Sequence, residues 1–215
     1  KFVRCARYTD HVFVEDVENC ISQRDINALR ERMENVKAAD GEVIMDLFPL
    51  LYKGDAGTEM KNPVGSYSKQ LSSTYNFILC ERDAKNRFSR VFLEAGIKIK
   101  GIFASAAVVA ESVVTSEEKE EGVAIVDIGS GVTDVAIYYG GVLNYIASIP
   151  IGGAAVNNDI RHFNGYIPAK TVENLKKRYG SAVVSLTPDE LIQVRKGSRA
   201  IKPIPRLNLA AVIEA

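Results

Sequence analysis

Residues 122–143, GVAIVDIGSGVTDVAIYYGGVL, carry the strongest structural signal in the chain. A continuous apolar run ends at a glycine-rich segment, residues 127–134, and an alternating pattern typical of a half-buried strand follows it. Gly140-Gly141 has the composition of a type I′ hairpin turn, because that turn needs a positive φ at both central residues. Strand character returns over 142–149. The pattern therefore predicts a three-stranded antiparallel meander whose first two strands are joined by a glycine-rich tip.

The glycine-rich tip has the composition of a phosphate-binding loop. Gly129 and Gly131 lack Cβ atoms, so backbone N–H groups can approach an anion closely and the chain can adopt dihedral angles that other residues avoid. Asp127 would end a buried strand and could hold a hydrated Mg²⁺ that bridges phosphate oxygens, and Thr133 adds a hydroxyl donor. The motif is neither a Walker A loop nor a dinucleotide fingerprint, because a strand follows it rather than a helix. An ordinary tight hairpin is the alternative interpretation.

A second glycine pair follows the meander. Gly152-Gly153 precedes a helix predicted from Ala154 to about Phe163, which would bring a close approach of the backbone and a helix N-terminus beside the end of the sheet. Glycines before a helix are also common as simple turns.

A further helix is predicted from Pro168, at its first turn, to Gly180. On this helix Glu173 lies three residues before Lys176 and four before Lys177, so the three side chains share one face. That face could contact a ribose or an adenine edge. A solvated, ion-paired surface is the alternative.

Residues 1–101 read as strand, helix, strand, strand, helix, strand, a small α+β unit. The signals are a short strand at Val12–Val14, a helix opened by the capping-box pair Ser22 and Asp25, strands over 42–52 and 73–82, a helix ending at Gly96, and strand character at Ile97, Ile99 and Ile102. Pro49 predicts that its strand is at an edge or is broken.

The two helices of this half each show an apolar face at helical spacing. The faces consist of Ile26, Leu29, Met33 and Val36 in one helix, and of Phe88, Val91, Phe92 and Ala95 in the other. An apolar helix over 104–114 and a charged surface turn over 116–122 come next, and we place a domain boundary near residues 101–105.

Composition excludes some classes of function. Lys plus Arg and Asp plus Glu are balanced at 27 each, so no global field favours nucleic acid. Cys5, Cys20 and Cys80 are far apart and odd in number, which argues against a disulfide framework or a zinc site and favours a reducing cytoplasm. No run approaches the roughly 18 apolar residues of a membrane-spanning helix.

Three segments, taken in order, resemble the second phosphate motif and the following helices of the actin, sugar-kinase and heat-shock-chaperone ATPases. They are GVAIVDIGSGVTDVAIYYGGVL, SIPIGGAAVNNDI and VENLKKRYGSA, and they are most similar to the FtsA family. VEDVENCISQRDINALRERM, NPVGSYSKQL and VFLEAGIKIKGIFASAAVVAESV resemble its 1C subdomain. The resemblance implies an α/β fold: a strand–helix–strand 1C-like interaction subdomain over 1–101, then a partial actin-like, ribonuclease H-like nucleotide-binding domain, 2A and part of 2B, over 102–215.

The resemblance also implies a function. FtsA-like proteins are cell-division adaptors that bind ATP and Mg²⁺, self-associate into filaments, bind FtsZ and other division proteins, and anchor the FtsZ ring to the cytoplasmic face of the membrane at the septum. Binding of nucleic acid is not expected. Carried over by position, the metal-linked acid is Asp127, and the nucleotide contacts are Gly129, Ser130, Gly131, Val132, Thr133, Gly152, Gly153, Glu173 and Lys176.

Departures from the family pattern limit these expectations. The family's first phosphate hairpin, an N-terminal D-x-G motif, has no counterpart in residues 1–10, and its adenosine motif and amphipathic membrane helix would lie beyond Ala215. Because such sites hold phosphate between converging donors, this chain by itself is not expected to hydrolyse ATP, and hydrolysis by a full-length protein is left open. The alternatives are a sugar-kinase-like phosphotransferase and a pilus-type or ethanolamine-utilisation ATPase relative.

Overall fold

The computed structural model describes residues 3–165, 167–196 and 200–215. The chain forms two compact units. The first extends to Asp127 and includes Asp134–Ile149, and the second consists of Ile128–Thr133 and Pro150–Ala215. This division differs from the predicted domains 1–101 and 102–215, which stay a prediction.

A four-stranded antiparallel sheet forms the larger part of the first unit. Its strands are β1 (Val3–Phe13), β2 (Glu42–Lys53), β3 (Glu59–Met60) and β4 (Gln70–Glu81), in the order β1-β4-β2-β3. The strand predicted at Val12–Val14 is confirmed in existence but not in its bounds: β1 pairs with β4 along its full length, and Val14 lies outside it. Long-range pairing therefore extends a strand whose local pattern is weak.

The predicted capping box opens α1 (Gln23–Glu34). Ser22 N–H donates to Asp25 Oδ2 at 2.7 Å, and the Ser22 hydroxyl oxygen accepts from Arg24 N–H, which confirms the helix start. Leu29 and Met33 are fully buried on one face of the sheet, in a cluster with Phe77 of β4. The predicted apolar face of this helix is thus part of the core.

Pro49 lies where strand pairing of β2 is incomplete. The neighbour β3 pairs with β2 only at Tyr52 and Lys53, so that Pro49 faces a strand on one side alone, and the register with β4 shifts between Pro49 and Tyr52. Both the edge position and the irregularity agree with a residue that has no N–H to donate.

The segment after β4 departs from the prediction. The helix α2 spans Arg82–Glu94, and Gly96 ends it with φ 72° while the N–H of Ile97 bonds to the carbonyl of Phe92. No strand follows among the described residues 95–104, so the strand predicted at Ile97, Ile99 and Ile102 is wrong. The predicted charged turn over 116–122 is instead the helix α4 named below, because Thr115 and Glu118 form a second capping box.

The predicted meander is confirmed. The strands β5 (Val123–Ile128), β6 (Thr133–Tyr139) and β7 (Val142–Ile149) lie in that order, and the turn between the last two has φ 63° at Gly140 and 78° at Gly141. Two helices precede it, α3 (Ser105–Val113) and α4 (Ser116–Glu121).

The second face of the four-stranded sheet is covered within the first unit. Ile78 of β4 packs with Ala106 and Ala110 of α3 and with Ala136 of β6. The buried amide of Asn76 donates to the carbonyl oxygens of Leu143, at 2.7 Å, and Asn144, at 2.8 Å. Sheet and meander are therefore joined by apolar packing and by satisfied buried hydrogen bonds.

The second unit is mostly helical. Its elements are α5 (Gly153–Phe163), α6 (Ala169–Tyr179), a 3₁₀ turn (Val184–Leu186), the hairpin of β8 (Leu191–Lys196) and β9 (Ala200–Pro205), and α7 (Arg206–Glu214). Ile160, Val172, Ile204 and Leu209 are among the buried residues of its core. The two helices predicted from Ala154 and Pro168 are confirmed as α5 and α6. Within the described ranges, no helix has the length and apolarity to cross a membrane.

Candidate functional site

Two segments of the second unit form the centre of the candidate site: the tip loop, residues 128–133, and the glycine turn, residues 150–153. The N–H of Gly153 donates to the carbonyl of Gly129 at 2.9 Å, and that of Ala154 to the carbonyl of Ser130 at 2.7 Å. The first N–H groups of α5 therefore hold the tip loop.

Thr133 adds a third bond between the two segments. Its hydroxyl donates to the carbonyl of Ile151 at 2.7 Å. The role predicted from sequence was donation to a phosphate, and that role stays a prediction. In the structure the hydroxyl proton is used to hold the loop on the turn.

Gly152 is required by the close approach of these segments. A Cβ atom at this position would lie 2.5 Å from the carbonyl oxygen of Gly129 and 2.7 Å from that of Ser130, well inside van der Waals contact. Its φ of −161° is extended and places no special demand on the residue. Space, rather than backbone conformation, explains this glycine.

The tip loop presents unused donors. The N–H of Gly129 bonds to the carbonyl of Val132 at 2.9 Å, whereas the N–H groups of Ser130, Gly131 and Val132 donate to no acceptor within the described chain. Gly131 and Ser130 are exposed. Successive free N–H groups in a loop can bind an anion such as phosphate.

The two tip glycines, Gly129 and Gly131, differ in what a side chain would meet there. Neither Gly129 nor Gly131 has a positive φ, so the left-handed conformation that glycine permits is not used at these positions. A Cβ at Gly129 would lie 3.0 Å from the carbonyl of Val132, whereas one at Gly131 would meet open space. Of the two, only Gly129 makes a close approach to another part of the chain in this conformation.

Asp127 belongs to the first unit. Its carboxylate is exposed, and it has neither a hydrogen bond nor an ion pair with another described residue. The prediction that it ends a buried strand is wrong, since Val126 is 55% and Ile128 70% exposed. A hydrated cation prefers a carboxylate that water can reach, so the exposure of Asp127 is compatible with the predicted metal role. That role stays a prediction.

The second acid of the motif, Asp134, has a structural role. Its carboxylate accepts hydrogen bonds from the hydroxyl of Ser105, at 2.7 Å, and from that of Ser148. These bonds join the start of β6 to α3 and to β7 inside the first unit.

Glu173 and Lys176 form a network with the glycine turn. Lys176 Nζ lies 3.0 Å from Glu173 Oε2 and donates to the carbonyl of Gly153 at 3.2 Å, while Lys177 Nζ lies 3.2 Å from Glu173 Oε1. The face of α6 that these residues share is therefore ion-paired, as expected if it were an ordinary surface. In addition, the bond from Lys176 to Gly153 connects α6 to the glycine turn, which holds the tip loop.

Asn157 completes this network and was missed by the sequence reasoning. Its Nδ2 donates to Glu173 Oε2 at 2.6 Å. This bond, followed by the contacts of Lys176 and Lys177, lowers the pKa of Glu173 to about 2. The available signal was its position on α5, four residues after Gly153, where one helical turn brings a side chain back to the same face.

Comparisons with known proteins agree with this architecture. The sequence model of the cell division protein FtsA family matches residues 124–210. Cell division protein FtsA of Escherichia coli K12 is 30% identical over 216 residues, covering all of this chain and 51% of that protein. The Pseudomonas aeruginosa protein of the same name is 29% identical over 196 residues, covering 90% of this chain and 47% of that protein. The chain spans about half the length of these relatives.

Solved structures show the same fold. MreB5 of Spiroplasma citri bound to ADP superposes with a TM-score of 0.53 at 26% identity, over 63% of this chain and 44% of that chain. A chain of the PilM–PilN type IV pilus biogenesis complex superposes with a TM-score of 0.50 at 13% identity, over 82% and 48% of the two chains. The second likeness concerns the fold alone.

The fold and these structural neighbours define the chain as an actin-like protein of mixed α and β structure. Within that class, relatives that match it from end to end are cell division proteins. These relatives and fold neighbours support an FtsA-type actin-like protein, and the chain aligns with about half the length of the FtsA relatives.

Proposed function

We propose that this chain supplies one side of an ATP·Mg²⁺ site to a cell-division adaptor. The tip loop carries the proposal: three successive N–H groups, of Ser130, Gly131 and Val132, have no acceptor among the described residues and lie on a loop that is pinned at both ends. Preorganised donors of this kind bind phosphate without reorganisation.

The other predicted residues have distinct roles in this proposal. Gly152 allows the glycine turn to approach the tip loop, Gly129 leaves room for the carbonyl of Val132 within the loop, and Thr133 and Gly153 hold the two segments together. Asp127, two residues before Gly129, would bind Mg²⁺ through water.

On α6, Glu173 and Lys176 would contact the nucleoside. Mg²⁺ would neutralise phosphate charge when bound. The ADP-bound state of MreB5, a fold neighbour at 26% identity, supports the assignment of a nucleotide as the ligand.

The biological role is proposed from the relatives. An FtsA-type protein would act at the division septum on the cytoplasmic face of the membrane, bind FtsZ and other division proteins, and self-associate through actin-like contacts. The 1C-like part of the first unit would provide interaction surface in this arrangement. Membrane attachment would depend on sequence beyond the half that this chain shares with its relatives.

Isothermal titration calorimetry tests the nucleotide proposal. Mg-ATP is titrated into this chain and into a version extended to the length of its FtsA relatives. Binding by the extended version alone supports a site divided between this chain and the rest of the protein. Tight binding by the chain alone would contradict the divided site, and no binding by either would overturn the proposed function.

The variant Asp127→Ala tests the metal role in the extended version. We expect Mg-ATP affinity to fall by about a hundredfold, because the hydrated cation loses its carboxylate, while circular dichroism stays unchanged. Asp40→Ala is the matched control, since Asp40 is also exposed, in the same unit and without a described partner. Equal affinities of wild type and Asp127→Ala would contradict the role of Asp127.

A further inference from the structure

A cavity of about 490 Å³ lies inside the first unit and shares no residue with the tip loop or the glycine turn. Its walls come from the second face of the four-stranded sheet, from α3 and from the hairpin of β6 and β7. A volume of this size, lined mostly by apolar side chains, is typical of pockets for small organic molecules. The larger side chains that line it are Phe48, Ile78, Phe103, Val108, Tyr138 and Leu143.

Two of these side chains leave apolar surface in contact with water. Phe103 is 68% and Val108 50% exposed, and both line the cavity. A bound molecule that covers them would remove this surface from water, which favours binding. The cavity therefore offers apolar contact that packing within the described chain does not already use.

Asp46 gives the cavity an unbalanced negative charge. It is half-buried on the cavity wall, where its Oδ1 accepts from the N–H of Leu47 at 2.8 Å, and it has no ion pair with a described residue. The charge of Asp46 also acts on Arg30, but Arg30 lies on α1, against the other face of the sheet, and is paired with Glu34 at 2.8 Å. No lysine, arginine or histidine is among the described residues that line the cavity. A carboxylate in these surroundings attracts a cation.

A second carboxylate of the lining already binds an ammonium group of the chain itself. Glu111 Oε1 pairs with Lys119 Nζ at 2.7 Å, and the same nitrogen lies 5.1 Å from the centre of the Tyr138 ring. The Lys119 side chain is only 13% exposed, so a carboxylate and an aromatic ring hold a positive charge that is largely out of water. Phe48 and Phe103 add two more aromatic rings to the walls. The lining thus combines the two kinds of group that bind ammonium ions.

We propose that this cavity binds a small organic ammonium ion, a protonated alkyl- or arylamine, whose apolar group packs on Phe103 and Val108 and whose charge is balanced by Asp46. Glu111 is neutralised by Lys119, whereas Asp46 keeps its charge available for a ligand. A cation therefore fits better than a neutral or an anionic molecule of the same shape. The proposal does not depend on nucleotide binding, since no residue of the cavity belongs to the candidate nucleotide site.

Three ligands with a similar phenylpropyl body and different charges test the proposal: 3-phenylpropylamine, 3-phenylpropanol and 3-phenylpropionate. Ligand-observed NMR titration measures their affinities for this chain and for the version extended to the length of its FtsA relatives. In both, the amine should bind about fivefold more tightly than the alcohol, as expected for a partly exposed ion pair, and the carboxylate should bind more weakly than either. Added salt should reduce the preference for the amine, because salt screens the charge.

Asp46→Asn tests the carboxylate. The variant keeps an oxygen that can accept from the N–H of Leu47, so it should lose most of the preference for the amine while its affinity for the alcohol stays unchanged. Asp40→Asn is the matched control, because it removes one exposed carboxylate from the same unit outside the cavity, and it should keep the preference. An undiminished preference in Asp46→Asn would contradict the role of Asp46.

Val108→Trp tests the location. The larger side chain should fill part of the cavity and weaken the amine and the alcohol alike, while circular dichroism stays as in wild type, since Val108 is half exposed. Val113→Trp is the matched control: it makes the same change on the same helix, at a side chain that is 66% exposed and does not line the cavity. Undiminished binding by Val108→Trp would place the ligand elsewhere and overturn the proposal.

The ligand series also distinguishes other occupants of the cavity. Equal affinities for the amine and the alcohol, or no binding by either version of the protein, would overturn the proposal. Binding by this chain but not by the extended version would overturn it too, by showing that the remaining part of the protein covers the cavity. An affinity that falls as the protein concentration rises would show that a second copy covers it instead.

Discussion

Two helices of the first unit have similar apolar periodicity and different surroundings. In α1, Leu29 and Met33 are completely buried against the sheet, whereas in α2 no residue is buried, with Phe88 55% and Val91 64% exposed. The helices also begin differently: Ser22 caps α1 with its side chain, and α2 has no side-chain cap at Glu81. The difference teaches that a periodic pattern identifies an apolar face but does not say what covers it.

The largest effect is expected for Leu29→Ala. Truncating a fully buried leucine leaves a cavity in the sheet core, so the free energy of unfolding should fall by about 2–5 kcal/mol. Urea denaturation followed by circular dichroism measures this change. A loss below about 0.5 kcal/mol, the range of ordinary surface substitutions, would show that α1 is not part of the core in solution.

A smaller effect is expected for Ser22→Ala. The substitution removes the cap that accepts from Arg24 N–H and one of the two bonds from Ser22 to Asp25, and should cost about 1 kcal/mol. The same denaturation experiment measures it. Ser89→Ala within α2 is the matched control, because it makes the same substitution in a helix without removing a cap, and equal costs for the two variants would contradict the capping role of Ser22.

The smallest effect is expected for Phe88→Ser in α2. The free energy of unfolding should change by less than about 0.5 kcal/mol, because the ring is already in contact with water over half its surface. A cost above about 1 kcal/mol that grows with protein concentration would show that another chain covers this face in solution. Denaturation at two concentrations distinguishes the cases.

The strand predicted at Ile97, Ile99 and Ile102 shows the limit of local reasoning. Closely spaced isoleucines favour an extended backbone, yet a strand also requires a neighbouring strand whose N–H and C=O groups are free. None lies beside residues 97–102 among those described, and the segment has no regular structure. The opposite error, a strand predicted too short, occurred in β1. Pairing with β4 extends this strand back to Val3, beyond the residues whose sequence pattern predicted it.

In the candidate site, too, some features have a local sequence signal and others depend on distant residues. The tip loop and the glycine pair were visible in the sequence because closely spaced glycines between two strands, or before a helix, indicate a turn or a close approach of the backbone. The role of Asn157 was not visible in the sequence, since asparagine in a helix usually faces solvent. Only the packing of α5 against α6 brings its side chain to Glu173. The burial of the strand before Asp127 was wrongly expected because an apolar run does not reveal whether a strand lies at a covered or an open sheet face.

By itself, the sequence determined the features that depend on a few neighbouring residues: the capping box at Ser22 and Asp25, the turn at Gly140 and Gly141, and the order of strands in the meander. Tertiary structure decided what depends on distant partners. It covered α1 and left α2 exposed, made Gly152 necessary through the carbonyl of Gly129, and placed Asn157 on Glu173. The reason is physical: local hydrogen bonds and backbone sterics act within one turn, whereas burial and close approach require segments that are far apart in the chain.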